Sequence, residues 1–210
     1  MNLVCFSNNT AGGLICDLLN NVALTHKGYH TTGFAHSMFK IGDTPNIQTT
    51  VDIDEWNRRI QLFKSVTFWI GTHCHPIGIP DLSVFEKIIC ITTVTRQSKL
   101  LRWLRYFHGW YKKFNPNFVE NDLLPTIDEV RELCKNVFIT YEPHTACLNV
   151  EFESIVDGSF IKQHNLNQSE FKKWQVQNDF LYQYSDHDWA VKRFNEAEYE
   201  ILNKTPFRYF

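Results

Sequence analysis

Apolar positions in this chain alternate between short continuous runs and stretches where they recur every three or four residues. Leu3 to Phe6 is an unbroken apolar run, the pattern of a strand covered on both faces. Ser7 to Gly13 then supplies only small residues, and Leu14, Ile15, Leu18, Leu19 and Val22 follow at helical spacing. Strand, small-residue loop and helix in this order predict a βα unit whose helix N-terminus can meet an anion. Ile53, Trp56, Ile60 and Phe63 mark a second helical face, and Val66 to Ile70 predicts a second buried strand running up to His73 before Pro76 ends it.

Further along, Leu82 to Glu86 predicts a short helical turn, Lys87 to Thr93 a third strand, and Leu100, Leu104, Phe107 and Tyr111 one face of a long helix. Prolines and asparagines between Asn115 and Pro125 break that pattern. A helix is expected over Asp128 to Lys135, and strands over Val137 to Tyr141 and Leu148 to Phe152. A late helix carries Phe171, Trp174 and Leu181 as its apolar stripe, with Asn167 and Glu170 as a capping box. Gly28 to Thr50 has no clear period and reads as loop, with a short strand near Ile47 to Val51. This βαβα rhythm predicts an α/β fold: a mainly parallel central sheet flanked by helices, in one domain over residues 1–210, with ligand sites beyond the strands' carboxyl ends.

Composition narrows the partners. Hydrophobic residues at 43% and aromatics at 15% fit a packed core rather than disorder. A formal net charge of −2 argues against whole-molecule attraction to nucleic acid or acidic membranes, so nucleic acid is not an expected partner. The six cysteines, at positions 5, 16, 74, 90, 134 and 147, form no Cys-x-x-Cys pair and sit mostly in apolar runs, as reduced thiols of a cytoplasmic protein do. No basic leader opens the chain and no run approaches ~18 apolar residues, so neither secretion nor a membrane span is expected.

Three segments carry candidate chemistry. Ser7 to Gly13 can present backbone amides and the Thr10 hydroxyl to an anion, although it lacks the lysine of a Walker A loop. Between Glu86 and Glu120 the chain holds Lys87, Arg96, Lys99, Arg102, Arg105, Lys112 and Lys113 and no acid; Arg96, at the strand-to-helix transition, is best placed to fork onto a phosphate or sulfate. His73 ends the second strand, where a base can take a proton from a bound hydroxyl. The His73-x-His75 pair also has chelating spacing, with His187 and Asp188 as distant further ligands, which leaves a metal-dependent hydrolase as a third reading.

In order along the chain, Asn9-Thr10-Ala11-Gly12-Gly13-Leu14, Gly71-Thr72-His73-Cys74-His75-Pro76, and Ile88 to Thr95 leading to Arg96 resemble the sulfotransferases that use 3′-phosphoadenosine-5′-phosphosulfate (PAPS). Leu104-Arg105-Tyr106-Phe107-His108 looks like that family's aromatic helix segment, and Val150 to Val156 is similar to a later strand-to-helix stretch. The resemblance covers roughly residues 2 to 112. It implies a three-layer sandwich of the P-loop nucleotide-hydrolase kind, with PAPS as co-substrate and a hydroxyl-bearing acceptor. It further implies that Asn9, Thr10, Ala11, Gly12 and Gly13 hold the 5′-phosphosulfate and that His73 is the catalytic base. Arg96 would grip the 3′-phosphate, helped by a serine whose place falls near Arg105 and for which Ser98 is the substitute.

Two departures follow from the same comparison. Asn9 and Gly71 stand where the family carries basic residues, with Lys40, Arg58 and Arg59 as the cations available to replace them. Losing one preorganised charge-stabilising donor costs about 10² to 10³ in rate. The expectation therefore divides between a working sulfotransferase and a catalytically impaired protein of the same fold that binds a nucleotide or a sulfated ligand.

Overall fold

Asn2–Cys5 forms the first strand, β1, buried at every position, as an apolar run with no polar face requires. It pairs in parallel with β2 (Trp69–Thr72) on one side and β3 (Lys87–Thr92) on the other, and β4 (Leu148–Glu151) pairs in parallel beyond β3. This is a computed structural model that describes residues 1–7, 10–22, 57, 61, 67–73, 75–114, 141–184 and, near the C-terminus, 191, 192, 194–196, 198 and 199.

The strand order is β2-β1-β3-β4. Cys5 is level with Thr72 of β2 and Cys90 of β3, and Thr92 with Glu151 of β4, so the carboxyl ends of all four strands share one rim. The chain steps from β1 outward to β2 and then across to β3, so its direction of travel reverses at β1. In open parallel sheets that reversal opens a crevice beyond the carboxyl ends of the flanking strands.

Helices α1 (Gly12–Leu19), α2 (Arg96–Phe114), α3 (Phe152–Val156), α4 (Ser159–Gln163), α5 (Gln168–Gln177) and α6 (Phe180–Tyr184) follow in chain order. Side chains of the strands alternate between two apolar layers. Val4, Ile89, Ile91 and Val150 join Leu14 and Ile15 of α1, Trp103 and Leu104 of α2, and Phe152 and Phe171 in one. Leu3, Cys5, Ile70, Ile88 and Cys90 join Ile79 and Phe85 in the other. The β2-to-β3 connection, with its 3₁₀ turns at Pro76–Gly78 and Leu82–Val84, packs on that second face together with Met1, Phe68 and Cys147. The fold is α/β, with a wholly parallel sheet among the described residues.

Several element boundaries differ from expectation. β2 starts at Trp69, and β4 ends at Glu151 because Phe152 begins α3. The late helix is two helices. Asn178 closes α5, its backbone and side-chain amides both donating to the Trp174 carbonyl, before α6 resumes the apolar spacing at Phe180 and Leu181. Of the capping box, the Asn167 half is present: its Oδ1 accepts from the Ser169 and Glu170 amides, while the Glu170 carboxylate takes the Lys173 ammonium at 2.5 Å. Helices α3 and α4 were not expected; Gly158, at φ +80° with the Phe171 ring against its Cα, lets the chain turn between them.

Cys5, Cys16 and Cys90 are buried and Cys147 is half-buried, in keeping with cysteines used as small hydrophobes. No helix among the described residues is long and apolar enough to cross a membrane. The expected elements at 28–50, 128–135 and 137–140, residues 53, 56, 60 and 63, the side chains of Phe107 and Tyr111, and Lys40, Arg58, Arg59, Cys74, Cys134, His187 and Asp188 lie outside the described residues.

Candidate functional site

The rim begins where β1 ends. Thr10 is fully buried, and its amide and hydroxyl both donate to the Ser7 carbonyl, at 3.3 and 2.7 Å, which closes a tight turn. Ala11 then takes a left-handed conformation (φ 59°, ψ 23°) as N-cap of α1. No side chain caps this helix and no acid stands in its first turn, although Gly12, Gly13 and Leu14 are buried. The Ser7 hydroxyl is also buried and has no hydrogen-bond partner among the described residues. Buried donors and hydroxyls ordinarily have partners, so this end of α1 is chemically prepared for a polar, acceptor-bearing group. Asn9, the basic position of the resembled loop, lies outside the described residues.

Phe6 connects this turn to His73. A Cβ on Gly12 would lie 2.0 Å from the Phe6 ring, so the ring packs directly on the first turn of α1. The same ring meets the His73 imidazole edge-on, with centroids 4.5 Å apart. His73 follows β2, is half-buried, and has its backbone carbonyl held by the Tyr141 hydroxyl. The expected meeting of residues 10 to 13 with His73 at one rim is present, and a phenylalanine mediates it.

Gly71 has a structural reason to be glycine. A Cβ there would come within 2.8 Å of the Phe6 ring and 3.1 Å of the Cys16 sulfur. The space at position 71 is filled by the packing that brings Phe6 to His73. His75 is engaged at both nitrogens: Nδ1 accepts from the Ile77 amide, so Nε2 carries the hydrogen and donates to the Glu142 carbonyl at 2.9 Å. It caps the Pro76–Gly78 turn. Among the described residues, no group of three or more His, Cys, Asp or Glu side chains could hold a metal.

At the ends of β3 and β4 the rim is acidic and tightly bonded. Glu151 accepts from the Thr92 hydroxyl at 2.5 Å and the Thr95 amide at 2.8 Å, while the Thr95 hydroxyl donates to Glu153 at 2.9 Å and accepts the Ser98 amide as cap of α2. Burial acts to raise the Glu151 pKa, but hydrogen bonds from Thr92, Thr95 and Ser98 outweigh it and hold the carboxyl below the usual range. Ser98 is fully buried, and its hydroxyl accepts the Glu153 amide at 2.9 Å. Arg96 donates to the Asn195 side chain, lies 3.7 Å from the Glu198 carboxylate and stacks over Phe194 at 5.6 Å.

Arg105 sits elsewhere. It is nine residues into α2 from Arg96, about 13 Å down a helix that starts at the rim. Its Nε donates to Asn178 at 3.2 Å and its guanidinium lies 5.4 Å from the Trp174 ring; burial lowers its pKa to about 10. It joins α2 to α5. Arg102 of the same helix is almost fully buried, and burial likewise lowers its pKa, to about 10, against an opposing effect of Tyr141. Tyr141, Glu151 and Phe6 are the rim residues that sequence reasoning missed as parts of the site. Phe6 and Tyr141 each end an apolar run, and Glu151 lies in the stretch from Val150 to Val156.

No protein-family model, no curated protein and no solved structure matches the chain.

Proposed function

We propose that this chain is a sulfotransferase-like protein of the P-loop-like, three-layer α/β kind, with the 5′ end of a nucleotide phosphosulfate at the start of α1 and His73 as base. The observation that carries the reading is the shared wall of Phe6, which sets an imidazole beside an uncapped, buried helix N-terminus. In the reaction, His73 takes the proton of an acceptor hydroxyl, the oxygen bonds to sulfur, and the bond from sulfur to the nucleotide's phosphate oxygen breaks. The amides of Gly12 and Gly13 would oppose the negative charge left on that phosphate. PAPS is the donor that the resemblance implies.

A second reading, a catalytically impaired binder of a nucleotide or sulfated ligand, is favoured by Gly71. The packing of Phe6 and Cys16 leaves no room there for the lysine that would neutralise the transferring group. One experiment separates the two: titration with adenosine 3′,5′-bisphosphate, followed by transfer of radiolabelled sulfate from PAPS to a panel of sugar and phenol hydroxyls. Binding with transfer that His73→Ala abolishes supports the enzyme. Binding without transfer supports the impaired binder, and failure to bind either this bisphosphate or adenosine 5′-monophosphate removes both.

A further inference from the structure

The residues expected to grip a 3′-phosphate do not fit that role. The Ser98 hydroxyl accepts the Glu153 amide and also bonds the Glu151 carboxyl, Arg96 is held by Asn195, Glu198 and Phe194, and Arg105 is packed between α2 and α5. The helix end that would receive the group already carries carboxylates: Glu151 takes the Thr95 amide and Glu153 the Thr95 hydroxyl. An incoming phosphate would have to displace Glu151 from an amide, draw Arg96 away from Glu198, and lie beside two like charges. Among the described residues, the start of α1 carries no acid and no side-chain cap. The two helix N-termini on the same rim thus differ in character, one bonded to carboxylates and one with no cap from a described side chain.

Resting on the proposed use of the α1 end, we infer that Glu151 and Glu153 are specificity determinants that close the β3–β4 side of the rim to a second phosphate. The ligand is then recognised through a single phosphate or phosphosulfate group, and a ribose 3′-phosphate, where the ligand carries one, contributes nothing to its recognition. Discrimination of this kind comes from a built-in repulsion as much as from contacts to the favoured ligand.

The test is calorimetric titration of the full chain with adenosine 5′-monophosphate and with adenosine 3′,5′-bisphosphate at one ionic strength. It is repeated on Glu153→Gln, with thermal denaturation to verify that the variant is folded. Wild-type protein is expected to bind the two nucleotides within about threefold of each other, or to prefer the monophosphate. Removing one carboxylate is expected to shift the ratio about two- to fivefold toward the bisphosphate, the effect of one nearby surface charge. A wild-type preference of tenfold or more for the bisphosphate overturns the inference while leaving the α1 site standing, and an unchanged ratio in a folded Glu153→Gln overturns Glu153 as a determinant. If neither nucleotide binds, the α1 site itself fails and takes this inference with it.

Discussion

The Tyr141 hydroxyl donates to the backbone carbonyl of His73, 68 residues earlier in the chain. The same tyrosine exchanges hydrogen bonds with Thr93: the Thr93 amide donates to its carbonyl at 3.2 Å, and its own amide donates to the Thr93 hydroxyl at 3.2 Å. One buried residue thereby joins the loop after β2 to the end of β3, across the strand between them. Where the backbone of His73 sits is decided by a residue on neither strand.

Tyr141→Phe keeps the ring packed against His75 and removes the hydroxyl that makes that bond. The expected cost is about 1 kcal/mol in denaturant unfolding, the net worth of one neutral hydrogen bond. The imidazole resonances of His73 should move in the same variant while those of His164 stay in place. Unfolding and His73 shifts that both match wild type would show that the bond positions nothing.

How much of this was legible beforehand depends on the reach of each interaction. Leu3 to Phe6 and Ile88 to Thr92 announce buried strands because burial on both faces writes an unbroken apolar run, and the glycines after β1 announce a turn into a helix. The partners of Arg96, Ser98 and Arg105 were not legible. A guanidinium aimed at a ligand and one laid across Trp174 occupy the same kind of position in sequence, and only the three-dimensional placement of Asn178 or Glu198 tells them apart. The break at Asn178 was hidden for a related reason: Phe171, Trp174 and Leu181 keep helical spacing across it.

Arg105 provides a direct check on its assignment to packing. Arg105→Ala removes the contacts to Asn178 and the Trp174 ring and is expected to cost about 1 to 3 kcal/mol. Nucleotide affinity, measured on the folded fraction, should stay within about twofold of wild type. A stable variant that has lost affinity tenfold would return Arg105 to the ligand.

Glu151 should make stability depend on acid. Its folded pKa lies below the unfolded value, so the stability it contributes is fully present above the unfolded carboxyl range near 4.5 and is lost as pH falls through the folded value. Glu151→Gln, which cannot titrate, should lower stability at pH 7 and make the decline between pH 5 and 3 shallower. Urea denaturation across that range measures both. Parallel acid limbs for the two proteins would mean that the bonds from Thr92 and Thr95 do not favour the charged form.

The substitution most tempting to an engineer is Gly71→Lys, which restores the residue that the resembled motif carries before Thr-His. The packing argues that it fails. Position 71 looks onto Phe6 and Cys16, with a Cβ 2.8 Å from the ring, so any side chain must push Phe6 away from both Gly12 and the His73 imidazole. Overpacking a filled core costs about 1 to 3 kcal/mol, and burying a lysine ammonium beside the Cys16 thiol, whose pKa burial already raises, adds to it. Gly71→Ala isolates the steric part and should cost most of the first amount in thermal or urea unfolding, with the lysine variant less stable still. A Gly71→Lys protein as stable as wild type, binding PAPS more tightly or transferring sulfate faster, would mean that Phe6 yields and that the lysine's place had been open all along.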